Sequence, residues 1–417
     1  MNKFSILMIA ILSYLGCVAQ DKIITDTSRT ITLRIDPENA IGANSSDVFE
    51  KITYIPLETN SQSIFGNINQ LEVLKSYFII LDHNTNSILI FTRNGKFHAK
   101  IKGSTYIPIY AFTIDYFNNL IVYSTDNFES ISYSNYDGKV VKKTEIKDIK
   151  SRGLYNLNFI YPNQNRIISY DQYRDFDKAS KYYTSYSRSM LRFMDKEGNV
   201  KMVGLEYSDE DRKIDVLNSG DAKAFSNCGN TGKYYFTKPY DYSIYTISDH
   251  SIQLTYKMIF PLKYSLPSDF ISNSAFNGKR GTFLQKNRSL IYHLSNVYSI
   301  HDNLIFKTNS IESSKFNTLI YALNSGVLIS FKHIQPDQNS SFLPLYDDLS
   351  PNFNNVGLAF NDGENLYNSI SSLNMFKVWD ENKANNYDYD PILKNYFATQ
   401  NAKSNPVIVQ LKIKSSL

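Results

Sequence analysis

Cysteine is nearly absent from this chain: only Cys17 and Cys228 occur in 417 residues. A disulfide framework is therefore excluded. Cys17 falls in a segment that is either removed or modified, which leaves Cys228 without an intramolecular partner. No Cys-His signature surrounds Cys228, so it reads as a small buried residue beside a turn. After the first 20 positions, no apolar run reaches the roughly 18 residues that an internal membrane-spanning helix needs. Charge of one sign is also scarce. Lys and Arg number 44 against 40 Asp and Glu, for a net +4, and without a basic stripe there is no basis for a nucleic-acid partner.

Catalytic signatures are missing too. There is no Gly-x-Ser-x-Gly elbow and no His-Glu-x-x-His zinc helix. His83, His98, His250, His293, His301 and His333 are scattered, and each reads as a surface or hydrogen-bonded residue. The acidic runs Ser208-Asp209-Glu210-Asp211 and Tyr387-Asp388-Tyr389-Asp390 lack the glycine and ligand spacing of a calcium loop, so they read as solvated loops. No catalytic residue, metal or cofactor is assigned.

The N-terminus does carry a signal. Asn2-Lys3 precedes an apolar core from Phe4 to Leu15, then Gly16-Cys17-Val18-Ala19. This is the pattern of an export signal. Cleavage after Ala19 would make residues 1–19 the signal peptide. Cleavage after Gly16 would leave Cys17 as a lipidation site, the one route by which this chain would meet a membrane. Either route exports the chain to the periplasm or the outer membrane.

The rest is a repeat of roughly 40 to 50 residues. Its first copy runs Tyr77 to Leu81, a polar stretch Asp82 to Asn86, Ser87 to Phe91, the turn Arg93-Asn94-Gly95-Lys96 and Phe97 to Ile101. Asn94-Gly95 and Asp137-Gly138 supply tight hairpin turns, and Gly198 and Gly326 recur at the equivalent place. Aromatic content of 14%, from 32 Tyr and 26 Phe, suits pleated, half-buried strands. Radial stacking of such units predicts an all-β fold, a six-bladed β-propeller over residues 28–415. The last copy is short of strands: Ser369 to Asp380 and Pro391 to Thr399 have helical spacing, and Val407 to Ile413 is a strand. Thr30 to Ile35 and Ile52 to Leu57 are strands without hairpin partners. Pairing of the two chain ends in one blade would close the ring and remove its open edge.

Tyr54-Ile55-Pro56-Leu57-Glu58-Thr59 with Phe65-Gly66-Asn67-Ile68, the first blade's Ser87 to Phe91 with Asn94-Gly95-Lys96-Phe97, and Asn405-Pro406-Val407-Ile408-Val409 resemble the exported six-bladed propellers of Bacteroidetes, an NHL/TolB-like fold. The resemblance implies fold and carries no common activity. The chain departs from it at Gly103-Ser104-Thr105-Tyr106-Ile107-Pro108, where relatives often have a Gly-rich segment ending Gly-Glu-Tyr.

In a propeller, loops between second and third strands and between blades gather at one face around the channel, the default binding site. The longest is Asp171 to Ser187, with Tyr173, Arg174, Tyr182 and Tyr183. Tyr240 and Tyr242 would sit on the neighbouring blade, and Tyr106 and Tyr110 between the first two blades. Tyrosine faces and arginine forks suit a glycan, a peptide or an envelope protein partner. The expected role is a binding module. A hydrolase or lyase using the same face, or a structural accessory of an outer-membrane complex, are the alternatives.

Overall fold

The computed structural model describes residues 21–126, 129–145, 158–170, 178–179, 184–207, 224–312, 318–347 and 360–417. Four strands come before the first complete blade: β1 (Asp21–Ile23), β2 (Ile31–Arg34), β3 (Ile41–Asn44) and β4 (Phe49–Pro56). Blade I is β5 (Gln70–Val73), β6 (Tyr77–Asp82), β7 (Ser87–Thr92) and β8 (Phe97–Lys102). Blade II is β9 (Phe112–Asp115), β10 (Leu120–Tyr123), β11 (Ser130–Ser134) and β12 (Val140–Glu145). Blade III is β13 (Phe159–Asn163), β14 (Arg166–Tyr170), β15 (Ser189–Asp195) and β16 (Val200–Glu206). Blade IV is β17 (Phe225–Asn227), β18 (Tyr234–Phe236), β19 (Ser243–Ile247) and β20 (Ile252–Ile259). Blade V is β21 (His293–Ile300), β22 (Asn303–Asn309), β23 (Thr318–Ala322) and β24 (Leu328–Gln335). The connection from blade IV to blade V carries a short helix, α1 (Arg280–Lys286). Blade VI takes β25 (Phe360–Asn361), β26 (Leu366–Ile370) and, after helices α2 (Ser372–Asn382) and α3 (Pro391–Thr399), β27 (Val407–Ile413). Its outermost strand is β4. The six antiparallel sheets form the expected propeller.

A blade in a ring has neighbours on both faces, so its middle strands read as continuous apolar runs. In β6, Phe78 and Ile80 pack towards blade VI with Tyr367 and Ile408. The intervening Ile79 and Leu81 pack towards blade II with Ile114 and Ile121. All four are essentially inaccessible.

Blade VI closes the ring as expected. β27 pairs antiparallel with β4 over seven residues, from Val407↔Pro56 to Ile413↔Phe49. The short first strands of blades I and IV, β5 and β17, are not legible in the sequence, whereas Phe112 to Ile114 and Val297 to Ile300 read as strands and fall in β9 and β21. Thr30 to Ile35 also differs from the expectation, because it does not join blade VI: β2 lies parallel on β20, the outer edge of blade IV. β1 adds in the same way to β16 of blade III and β3 to β24 of blade V. These three strands begin at Asp21, Ile31 and Ile41, ten residues apart. The N-terminal segment is thus a belt round three consecutive outer edges before it enters blade VI. Parallel pairing between residues 181 or more positions apart, as in Asp21↔Met202, leaves no local signal.

A buried asparagine locks the closure. Asn405 donates through Nδ2 to Glu58 O (2.7 Å) and Ser63 O (3.0 Å), and its Oδ1 accepts from Phe65 N at 3.1 Å. Its backbone N donates to Thr59 Oγ1 at 2.9 Å. Next to it, Gly95 has φ +82°, and a Cβ there would lie 2.1 Å from Pro56 O, so the tight first-blade turn is also what lets β4 end against it.

Asn405→Ala strands one donor, Phe65 N, and one carbonyl, Ser63 O, in the interior, while Glu58 O keeps the Ser63 hydroxyl at 2.7 Å. Each orphan costs roughly 1–3 kcal/mol, not additively, so the variant should lose about 3 kcal/mol in urea unfolding. A loss below about 1 kcal/mol would show that the clamp is dispensable.

Candidate functional site: the loop face and the channel

Strand direction alternates within each blade. Loops between second and third strands and connections between blades therefore emerge at one end of the ring, and the remaining turns at the other. The innermost strands line the channel and are stitched together side chain to backbone. Gln70 brackets Phe112, donating to its O at 2.6 Å and accepting from its N at 3.2 Å. Thr113 donates to Phe159 O at 3.1 Å, and Tyr234 to Tyr161 O at 3.2 Å.

Towards the turn end, phenols converge on one carboxylate. Tyr116 donates to Glu72 Oε2 at 2.9 Å. Burial, followed by the Glu72 charge, pushes the Tyr116 phenol well above its ordinary range. The ring is 40% exposed, so this shielding acts at its hydroxyl end. Tyr234 and Tyr298 are raised by burial and feel the same charge. These phenols, from blades II, IV and V, are each held protonated and able to donate, Tyr116 to Glu72 and Tyr234 to Tyr161 O. Asn227 and Asn361 exchange amide contacts at 3.5 Å between blades IV and VI. Asp115 accepts from Phe117 N and Asn118 N, which fixes the first turn of blade II. This end of the channel is a hydrogen-bonded floor.

At the loop end, one asparagine organises the connection between blades I and II. Asn86 has φ 48°. Its Nδ2 donates to Ser104 O (2.7 Å) and Ile107 O (3.2 Å), and its Oδ1 accepts from Ile109 N at 2.7 Å. Gly103 is obligatory here, since a Cβ would lie 2.4 Å from the fixed Asn86 Oδ1. The loop so held presents Tyr106, 92% exposed, and Tyr110, 55% exposed. Sequence reasoning missed Asn86; its one signal is an asparagine closing a polar turn, a residue that tolerates left-handed backbone.

The other expected rim residues divide. Tyr173, Arg174, Tyr182 and Tyr183 lie outside the described residues, as does Cys17. Tyr240 and Tyr242 are corrected: both are struts. Tyr240 is buried against Phe270, Leu284 and Leu290, and its N donates to Tyr292 O at 2.6 Å. Tyr242 donates to Ile291 O at 2.6 Å and accepts from Leu266 N at 2.8 Å, and burial pushes its phenol up to about 12. The long connection carrying α1 supplies the apolar and backbone groups that absorb them.

His293 opens β21, the innermost strand of blade V, at the loop end. It departs from the reading of the histidines as surface or hydrogen-bonded. It is 2% exposed, and neither ring nitrogen finds a hydrogen-bond partner among the described residues. Burial pushes it down to about 4. Also among the described residues, no group of three or more His, Cys, Asp or Glu side chains could hold a metal ion, and no helix is long and apolar enough to cross a membrane.

The family described as domain of unknown function DUF4934 matches residues 29–412. The chain belongs to the DUF4934 family. No curated protein matches it. Among solved structures, it is similar to a Bacteroides fragilis protein described as exported, at 16% identity and TM-score 0.67, covering 92% of this chain and 99% of that one. It is also similar to a DUF4221 member from Bacteroides vulgatus (12% identity, TM-score 0.45, 88% and 98% covered). A third is virginiamycin B lyase from Staphylococcus aureus (12% identity, TM-score 0.37, 87% and 99% covered). The first likeness shows the fold. At TM-scores below 0.5 the other two carry no argument.

For this DUF4934 protein, His293 makes stability depend on pH. Its folded pKa, about 4, lies below the ordinary 6.5, so the unfolded chain binds the extra proton between those values and stability falls as pH drops through that window. The full loss is about 3 kcal/mol, at 1.36 kcal/mol per unit. His293→Gln should flatten the 4–6.5 segment of a stability-versus-pH curve; an unchanged slope would assign it to other groups.

Proposed function

We propose that this DUF4934 protein is an exported binding module that takes a glycan, a peptide or an envelope protein on its loop face. The observation that carries this reading is the pair Tyr106 and Tyr110, large and exposed on a loop that Asn86 holds in place. Exposed tyrosines on a rigid frame give apolar contact with a polar handle at little entropic cost. Behind them, the turn end of the channel is crossed by hydrogen bonds from Tyr116 to Glu72 and between Asn227 and Asn361.

A hydrolase or lyase would draw on carboxylates near the channel, and Glu72 and Asp115 already accept hydrogen bonds. The leader supports export, and Gly16-Cys17 supports lipid anchoring of the mature chain. The belt starts at Asp21, so an acyl chain on Cys17 would tether the rim of blade III to a membrane. Cys17→Ser should then move the protein from the membrane fraction to the soluble one. Unchanged fractionation would sink the anchor.

Screening the mature chain on glycan and peptide arrays should give a defined ligand set, weakened about tenfold or more by Tyr106→Ala with Tyr110→Ala. Equal binding by the double variant would remove this loop from the site, and no binding at all would favour the structural-accessory alternative.

A further inference from the structure

The belt shows what the outer edges of these blades accept: a short extended strand, added parallel. Those of blades III, IV and V each carry one, and β4 is itself the outer strand of blade VI. Among the described residues, the outer strands of blades I and II have no such partner. β8 is partly covered: His98 meets Asp137 of blade II at 3.0 Å, and Phe97 packs edge-to-face on Phe91. β12 is different, because all six of its residues are exposed, including Val140 at 58% and Val141 at 57%.

We infer that β12 is a docking edge for an acidic extended peptide segment of a partner protein, added as a fifth strand in the manner of β1. An open edge offers a row of backbone donors and acceptors, and the side chains along it select the partner. Along β12 the sequence is Val140-Val141-Lys142-Lys143-Thr144-Glu145, preceded by Lys139. The belt uses opposite charge against its edges: Lys22 meets Glu206 at 2.9 Å, and Glu38 meets Lys263. Lys143 reaches Asp126 at 3.1 Å and Lys142 lies over the Tyr133 ring of the neighbouring strand, and Lys139, Lys142 and Lys143 against the single Glu145 leave this edge basic. A second copy of this chain is disfavoured there, because edge-to-edge pairing of β12 with itself brings lysines opposite lysines. An acidic strand meets the reverse situation. The rim lies apart from the loop face, so this inference is independent of the function proposed above.

The probe is a labelled ten-residue peptide alternating glutamate with threonine and valine, against the same peptide with lysine for glutamate. Fluorescence anisotropy with the mature chain should show saturable binding of the acidic peptide alone, and amide hydrogen exchange at 140–145 should slow on its addition. Lys142→Glu with Lys143→Glu should weaken binding about tenfold or more with an unchanged unfolding midpoint. Should that variant unfold because Lys143 also pairs with Asp126, Lys142→Glu alone carries the test. Absence of binding, or equal binding of both peptides, overturns the inference and leaves the lysines as charges that blunt an edge. Dimerisation with protection at 140–145 in the absence of peptide overturns it in favour of a second copy.

Discussion

The ring depends on one seam. Residues 49–56 and 407–413 come from opposite ends of the chain and pair as neighbouring strands of blade VI. Without that pairing, blade VI lacks its outer strand. Asn405 fastens the seam by satisfying three backbone groups of the 58–65 segment that the closure buries. Buried backbone groups need partners, and at an irregular junction between two chain ends no ladder supplies them. A compact amide with both donors and an acceptor does so from one position. Arg93 reinforces the same junction, donating to Leu74 O at 2.8 Å and to the Tyr367 hydroxyl at 2.6 Å.

The belt extends this logic beyond the seam. A propeller leaves the outer edge of each blade unpaired, and exposed edges invite association. This chain covers half of its rim with its own N-terminus, one strand every ten residues, and secures the contact with ion pairs such as Lys22–Glu206. Exposed pairs of that kind contribute little stability singly. They select which strand lies on which edge more than they hold it there. The same selection governs what a bare basic edge admits.

Much of the architecture was legible because a blade flanked on both faces must be apolar on both faces. Tyr77 to Leu81 and Ser87 to Phe91 advertise that burial directly, and Asn94-Gly95 and Asp137-Gly138 advertise the turns between strands. The innermost strands were harder. β5 is four residues long and β17 three, too short for any period to register, and polar residues such as Gln70 and Glu72 break the apolar pattern where they face the channel. Tyr240 and Tyr242 show a different limit. Their side chains suit a ligand or a core equally well, and what decided was whether a chain segment lay over them; the connection carrying α1 does. His293 shows the converse, since nothing local to a lone histidine reports that it will be enclosed without a hydrogen-bond partner.

By itself, the sequence determined the kind of unit, the number of times it recurs and the turns that join its strands, because these are local properties of period, burial and backbone conformation. Which edge receives Thr30 to Ile35, how Tyr116 meets Glu72 across two blades, and which tyrosines stay exposed were decided only by tertiary structure. Each depends on bringing together residues far apart in the chain. Local preference has no term for such contacts until the ring has closed.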